Sequence, residues 1–216
     1  MMYSGMSPSH GHPIFARFYP HFSRAGEKRG ADKHRGRLLA GLTGRVLEVG
    51  AGHGLNFSYY PREVTKVLAV EPEPHLRELA RAAARRAPVS VEVTDGTAEK
   101  LPCDDGEFDA AVTSLVLCSV TDQDAALREI VRALRPGGEL RFYEHVVSSH
   151  ALAARLQQVL DATIYPALAG GCHCARDTTT AIRHAGFEIH HEQRITFRPS
   201  PLSPPIPHIL GIARRP

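Results

Sequence analysis

The chain has 216 residues, enough for one α/β domain with a sizeable core and too few for two. With 43% hydrophobic and 23% charged residues it is not a disordered chain, and a net charge of +3 lacks the dense basic stripe of a nucleic-acid binder. No run approaches the ~20 apolar residues of a membrane span. The most basic stretch, Arg24 to Arg37, is interrupted by Glu27 and Asp32 and reads as a solvated helix face.

Residues 1–12 are rich in Ser, Gly, His and Pro and are expected to be flexible. They contain no apolar signal-peptide core, so a cytoplasmic protein is expected, with Cys103, Cys118, Cys172 and Cys174 as reduced thiols. Pro13 suits the first turn of a helix, and Phe15, Phe18, Tyr19 and Phe22 follow at helical spacing. Pro20 inside this stripe is expected to kink or end the helix. The stripe reads as core packing or as a lid over a ligand cleft. A second helix is predicted from about Glu27 to Ala40, so that residues 13–43 form an N-terminal helical lid.

Strands are predicted at Arg45–Gly50, Val67–Glu71, Val89–Val93, Phe108–Leu115 and Glu139–Glu144. Helices lie between them, one after Pro74 and one carrying Leu127, Ile130, Val131 and Leu134. Further helices are predicted at Leu152–Leu160 and Thr178–Ala185, with Gly186 as a cap, and closing strands at Phe187–Gln193 and His208–Ala213. Five prolines make Pro199–Pro207 a stiff connector. The alternation predicts a single α/β domain over residues 13–216. It is Rossmann-like and doubly wound, with a seven-stranded, mostly parallel sheet and helices on both faces. Residues 44–145 are its cofactor-binding core, and 146–216 supply the substrate side and the closing strands.

Glu48-Val49-Gly50-Ala51-Gly52-His53-Gly54 follows the first strand, where the backbone must turn sharply and approach a ligand. A dinucleotide fingerprint would place its third glycine where Leu55 stands. Glu71, beside Pro72 at the end of the second strand, is placed to accept hydrogen bonds from ribose hydroxyls. The glycine spacing, the preceding Glu48, the segment Asp95 to Pro102 with Phe108-Asp109, and the turn Leu134-Arg135-Pro136-Gly137-Gly138 together resemble the class I S-adenosylmethionine-dependent methyltransferases. The resemblance implies S-adenosylmethionine as cofactor and S-adenosylhomocysteine as product. It implies a cofactor site made of Glu48, Gly50, Ala51, Gly52, Gly54, Asn56, Glu71, Pro72, Thr97, Ala98 and Leu115. Thr97 stands where many relatives carry an aspartate, so backbone groups of Thr97 and Ala98 are expected to serve the adenine.

In the second half, Glu144-His145, the run Gly170 to Thr178 and Pro207 to Gly211 resemble one subgroup, the methyltransferase-like protein seven group and its bacterial relatives. That subgroup includes thiol S-methyltransferases. The implied activity is methylation of a small molecule at a thiol or other soft nucleophile. Small-molecule N-, O- or C-methylation, and a non-catalytic S-adenosylmethionine-binding protein, stay open. His145 and His173 are the base candidates, since imidazole titrates near neutrality, and Tyr19 is expected to close the site. Cys172, His173 and Cys174 are contiguous and lack a second cluster, so no metal is expected there.

Overall fold

The computed structural model describes residues 13–198 and 205–216. The segment expected to be flexible, 1–12, and most of the proline-rich connector lie outside the described residues. The chain opens with α1 (Pro13–Gly26), a π-helical turn (Glu27–Ala31) and α2 (Asp32–Leu39). Seven strands follow: β1 (Gly44–Val49), β2 (Val64–Val70), β3 (Val91–Thr94), β4 (Phe108–Ser114), β5 (Leu134–His145), β6 (Glu188–Phe197) and β7 (Ile206–Arg214). Among the described residues a 3-10 turn (Phe57–Tyr59) and five α-helices lie between them: α3 (Pro74–Ala84), α4 (Gln123–Ala133), α5 (Ala151–Asp161), α6 (Tyr165–Leu168) and α7 (Thr178–His184).

The strands form one sheet in the order β3-β2-β1-β4-β5-β7-β6. β1 to β5 pair in parallel, and β7 runs antiparallel between β5 and β6. This is the doubly wound, Rossmann-like sheet that the alternating pattern predicts. Because side chains alternate along a strand, β1 sends Leu47 and Val49 to one face and Val46 to the other. The first face buries Ala111, Leu140 and Phe142 against Leu127 and Ile130 of α4 and Ile182 of α7. The second packs Val67, Val112 and Tyr143 against Leu38 and Leu39 of α2 and Ala80 of α3.

Helix ends follow their side chains. Glu73, Asp122 and Asp177 each accept the backbone N–H three residues on, capping α3, α4 and α7. The predicted turn Pro136-Gly137-Gly138 appears as a break in the β4–β5 register. The short helix α6 was not predicted; its four residues carry too little periodicity to register.

The N-terminal segment departs from expectation in three ways. Pro20 does not end its helix, which continues to Gly26; the chain is re-aimed instead at Gly30, whose φ of 107° a side chain would disfavour. The aromatic residues do not share one face: Tyr19 points inward, whereas Phe18 and Phe22 are 56% and 64% exposed. The side chain of Phe15 lies outside the described residues. Arg35 is no part of a solvated face, being only 6% exposed, because Glu27, Asn56 and Ser114 all accept hydrogen bonds from its guanidinium.

Gly211 shows how tightly the closing strands pack. It pairs with Phe142 of β5 and Glu192 of β6, and a Cβ there would collide with the His191 carbonyl and the Phe142 ring. Gly211→Ala is therefore expected to destabilise the fold by about 1–3 kcal/mol, the usual scale for overpacking a core. Urea denaturation measures this; an unchanged midpoint would show that the β5–β7 pair yields without strain.

Candidate active site

A cavity of about 380 Å³ opens at the carboxyl ends of β1 to β5, where open α/β sheets bind their ligands. Its size suits a small-molecule site, for which about 300–1,000 Å³ is usual. Gly50 and Gly52 from the loop after β1, and Glu71 and Pro72 from the end of β2, line one part. Thr97 and Ala98 follow β3, Leu115 and Cys118 follow β4, and His145 ends β5. Tyr19 from α1, together with Tyr165 and Cys172 from the second half, completes the wall.

The loop after β1 needs its glycines. Gly50 has φ 66°, and a Cβ there would fall 2.6 Å from Val116 Cγ2; Gly54 has φ 82°, and its Cβ would strike the Phe57 ring at 2.7 Å. Ala51 is buried, and its N–H donates to the Val70 carbonyl, tying the loop to β2. Glu71 accepts the N–H of Gly52 on Oε2 at 2.7 Å and that of Glu73 on Oε1 at 3.0 Å. Burial pushes its carboxyl above the usual range, and those two N–H groups oppose the push. Arg77 holds the turn from below, donating to the carbonyls of Glu71 and Pro72 and to Asp95.

Behind the loop lies a buried polar network. The Glu48 carboxylate accepts from Asn56 Nδ2 at 3.0 Å and from the Tyr60 hydroxyl at 2.7 Å, and Arg35 donates to Asn56 Oδ1 at 2.8 Å. Glu48, Asn56, Ala51 and Gly54 thus belong to the support of the loop and do not line the cavity. His53 faces α1, with its ring edge-on to Tyr19 and Nε2 3.4 Å from Ser23 Oγ; burial lowers its pKa to about 4.

The loop after β4 is held from two sides. Leu115 adopts φ 61°, rare for a side-chain-bearing residue. The buried Glu144 carboxylate accepts the N–H groups of Val116 and Cys118, and burial raises its pKa to about 7. From the second half, Arg176 donates to the carbonyls of Leu117 and Val120, and the His173 N–H donates to that of Cys118.

The two base candidates part company here. His145 lines the cavity, its Nδ1 3.2 Å from Cys172 Sγ, which lies 3.5 Å from Cys118 Sγ. The neighbouring Cys118 and then His145 pull the Cys172 thiol below its usual range against the effect of burial, while sharing that contact pushes Cys118 up. His173 does not line the cavity; its ring Nδ1 lies 3.5 Å from Asp161, which also accepts the N–H groups of Cys174 and Ala175. The run Cys172-His173-Cys174 therefore points three ways. Sequence reasoning missed Arg35, Arg77, His53 and Cys118. Only Cys118, three residues after Leu115 of the expected cofactor site, and His53, inside the glycine loop, carried a usable signal.

A glycine loop after the first strand, an acidic residue after the second and a cavity along all five strand ends define a class I S-adenosylmethionine-dependent methyltransferase, and the chain belongs to that family. The methyltransferase domain family model matches residues 47–142. The chain is 36% identical over 184 residues to thiol S-methyltransferase TMT1B of Homo sapiens, spanning 81% of this chain and 73% of that protein. It is 36% identical over 183 residues to the Homo sapiens thiol S-methyltransferase TMT1A, with the same coverage. A methyltransferase structure from Thermotoga maritima superposes with TM-score 0.68 at 25% identity, covering 94% of this chain and 99% of that one. The cyclase SpnF superposes at TM-score 0.76 with 20% identity over 98% of each chain, a likeness of fold alone. S-adenosylmethionine is the cofactor. The positive-φ glycines Gly50 and Gly52, which bring bare backbone to the cavity, and the Glu71 carboxylate at its wall fit it.

Burial pushes the Glu48 pKa up to about 7 against hydrogen bonds from Tyr60 and Asn56 and the charge of Arg35. The folded state therefore holds this proton more tightly than the unfolded one. The resulting stability is full below about 4.5 and is lost as pH rises through about 7. Glu48→Gln is expected to flatten that part of the stability–pH curve and to be favourable, relative to the parent, by up to about 3 kcal/mol more at about pH 8 than at about pH 4. Thermal melts across this range check it. A variant that loses more stability at high pH than at low would show that Arg35 outweighs burial.

Proposed function

We propose that the protein methylates a small molecule at a thiol or another soft nucleophile. The observation that carries this reading is His145 beside two thiols in the cavity of a chain 36% identical to thiol S-methyltransferases. Bound S-adenosylmethionine supplies an already activated methyl group, so the protein's own task is to align the acceptor and exclude water. Glu71 takes the ribose hydroxyls, the loop from Gly50 to Gly52 lets the backbone approach the cofactor, and Thr97 and Ala98 border the adenine. Leu115 lies at the methionine end. Ala16 and Tyr19 cover the cavity from α1, which makes this segment a lid seated on His53.

A thiol acceptor needs little help, because its pKa near ~8.5 leaves part of it ionised at neutral pH. The His145–Cys172 pair receives its proton. His173, paired with Asp161, positions the loop that carries Cys172 and does not meet the acceptor. Among the described residues no helix is long and apolar enough to cross a membrane. The reading includes a cytoplasmic setting that keeps the thiols reduced, and acceptors other than nucleic acid.

Glu71→Ala is expected to weaken S-adenosylmethionine binding by about 1.5–3 kcal/mol, the scale for hydrogen bonds to a charged group. Calorimetry on the folded variant reads this directly, and unchanged affinity would remove Glu71 from the site.

The acceptor is tested with small thiols, amines and phenols and a labelled methyl donor. S-methyl products are expected. Products on nitrogen or oxygen alone would overturn the soft-nucleophile reading. With acceptors of high pKa, His145→Ala should lower kcat by about 10²–10⁴-fold, and the loss should shrink for the most acidic thiols. His173→Ala should act through stability with kcat largely kept. Equal effects of the two substitutions would contradict their assigned roles.

A further inference from the structure

Cys118, His145 and Cys172 come from three separate elements: the loop after β4, the end of β5 and the loop before α7. Their sulfur, nitrogen and sulfur atoms all lie within 4.8 Å of one another, with two of the three edges at 3.2 and 3.5 Å. A tetrahedral ion held by thiolates at about 2.3 Å and imidazole at about 2.0–2.1 Å sets such donors roughly 3.5–3.8 Å apart. Two edges already stand near that spacing, and the third, within 4.8 Å, closes to it on loading.

All three residues also line the cavity, so the position opposite them faces it. Two cysteines and one histidine with a fourth place open to substrate form a known catalytic zinc donor set. The surroundings support it. Glu144 fixes the Cys118 backbone, and the His145 ring stands edge-on to His208 with centroids 4.3 Å apart. Ligand orientation is set by neighbours of this kind. Cys174 is not part of the group: its backbone N–H is held by Asp161, and its Sγ lies 3.8 Å from the Gln157 carbonyl.

We propose that Cys118, His145 and Cys172 form an open site for one thiophilic divalent ion of the zinc class, with the sulfur of the methyl acceptor as its fourth ligand. The ion site rests on donor geometry alone; the acceptor's place in it rests on the thiol reading above. Loading the ion releases the protons of the two cysteines to solvent and forms two metal–sulfur bonds and one metal–nitrogen bond. An acceptor thiol that then coordinates gives up its own proton to solvent and stays bound as thiolate; in the ion-loaded protein this coordination takes the place of the proton acceptance assigned above to the His145–Cys172 pair, and His145 acts as a ligand.

The test is anaerobic titration of the metal-stripped protein with cobalt(II), followed by absorption. One equivalent is expected, with sulfur-to-cobalt charge-transfer bands and the visible bands of a tetrahedral ion, displaced by zinc(II). Cys118→Ser and Cys172→Ser should each weaken binding by more than about 100-fold, beyond the 10–100-fold that second-shell changes produce; Cys174→Ser should not. Absence of saturable binding, or binding that survives both Cys118→Ser and Cys172→Ser, overturns the site. A small alkyl thiol should shift the visible bands; bands that do not move, or full thiol methylation by the metal-stripped protein, overturn the acceptor's place in it. Neither result touches the methylation panel, and a panel without thiol products leaves the cobalt titration to stand or fall alone.

Discussion

The site depends on one buried carboxylate. Glu48 stands one residue before the end of β1 on the face that α2 and α3 cover, beneath the glycine loop, where water cannot compete for it. A buried carboxylate must find donors, and the chain supplies them from the segment just beyond the loop: Asn56 and Tyr60. The loop between the two ends of this clamp has little freedom left, so its backbone is held where a ligand would meet it. Arg35 extends the clamp to α2, bonding both Asn56 and Ser114 at the end of β4, and Glu27 balances its charge from the π-helical turn. The N-terminal helices, the glycine loop and the fourth strand are thereby joined through one guanidinium.

A second clamp organises the other half of the cavity. The loop after β4 turns on bonds from Ser119 and Val120 to the Val116 carbonyl, and Glu144 takes two more of its N–H groups from below. Arg176 and the His173 N–H satisfy its carbonyls from above. The residues between α6 and α7 are therefore a working part of the cavity wall, and they bring Cys172 to His145 and Cys118. The half near β1 and β2 rests on side-chain bonds to Glu48 and backbone bonds to Glu71, the half near β4 and β5 on backbone bonds to Glu144. One cavity with two separately supported halves suits a reaction that must hold a donor and an acceptor in line.

The parallel sheet and the cofactor side were legible in the sequence because each rests on local patterns. Apolar runs give the strands, glycines that need positive φ give the loop, and the acidic Glu71 after β2 stands at the cavity wall. Strand ends differed by a few residues, as with β6, which runs to Phe197 where Gln193 was predicted. What could not be read was contact between distant segments. Arg35 looked like one charge of a solvated stretch, since nothing nearby announces Asn56 or Ser114. His145 and His173 were equal candidates by position, and only the packing of Asp161 against the late loop separates them. The aromatic stripe of α1 failed for the opposite reason: helical spacing suggested a shared face, yet among its described side chains Tyr19 turns to the cavity while Phe18 and Phe22 meet solvent.

The sulfur–imidazole triad completes this contrast. Its members lie 27 residues apart in each step, Cys118 to His145 and His145 to Cys172. No ligand-spacing rule would group them, and the contiguous Cys172-His173-Cys174 run drew attention to the wrong pair of neighbours. The sheet does the grouping: β4 and β5 are adjacent and parallel, so their carboxyl ends meet, and Arg176 pins the third segment across both. A fold of this kind hosts many chemistries because its strand ends converge whatever they carry. The chemistry is decided by which side chains the outer loops deliver to that edge. Here they deliver two thiols and one imidazole to the cavity wall, and the proposed soft acceptor rests on these side chains more directly than on the glycine loop.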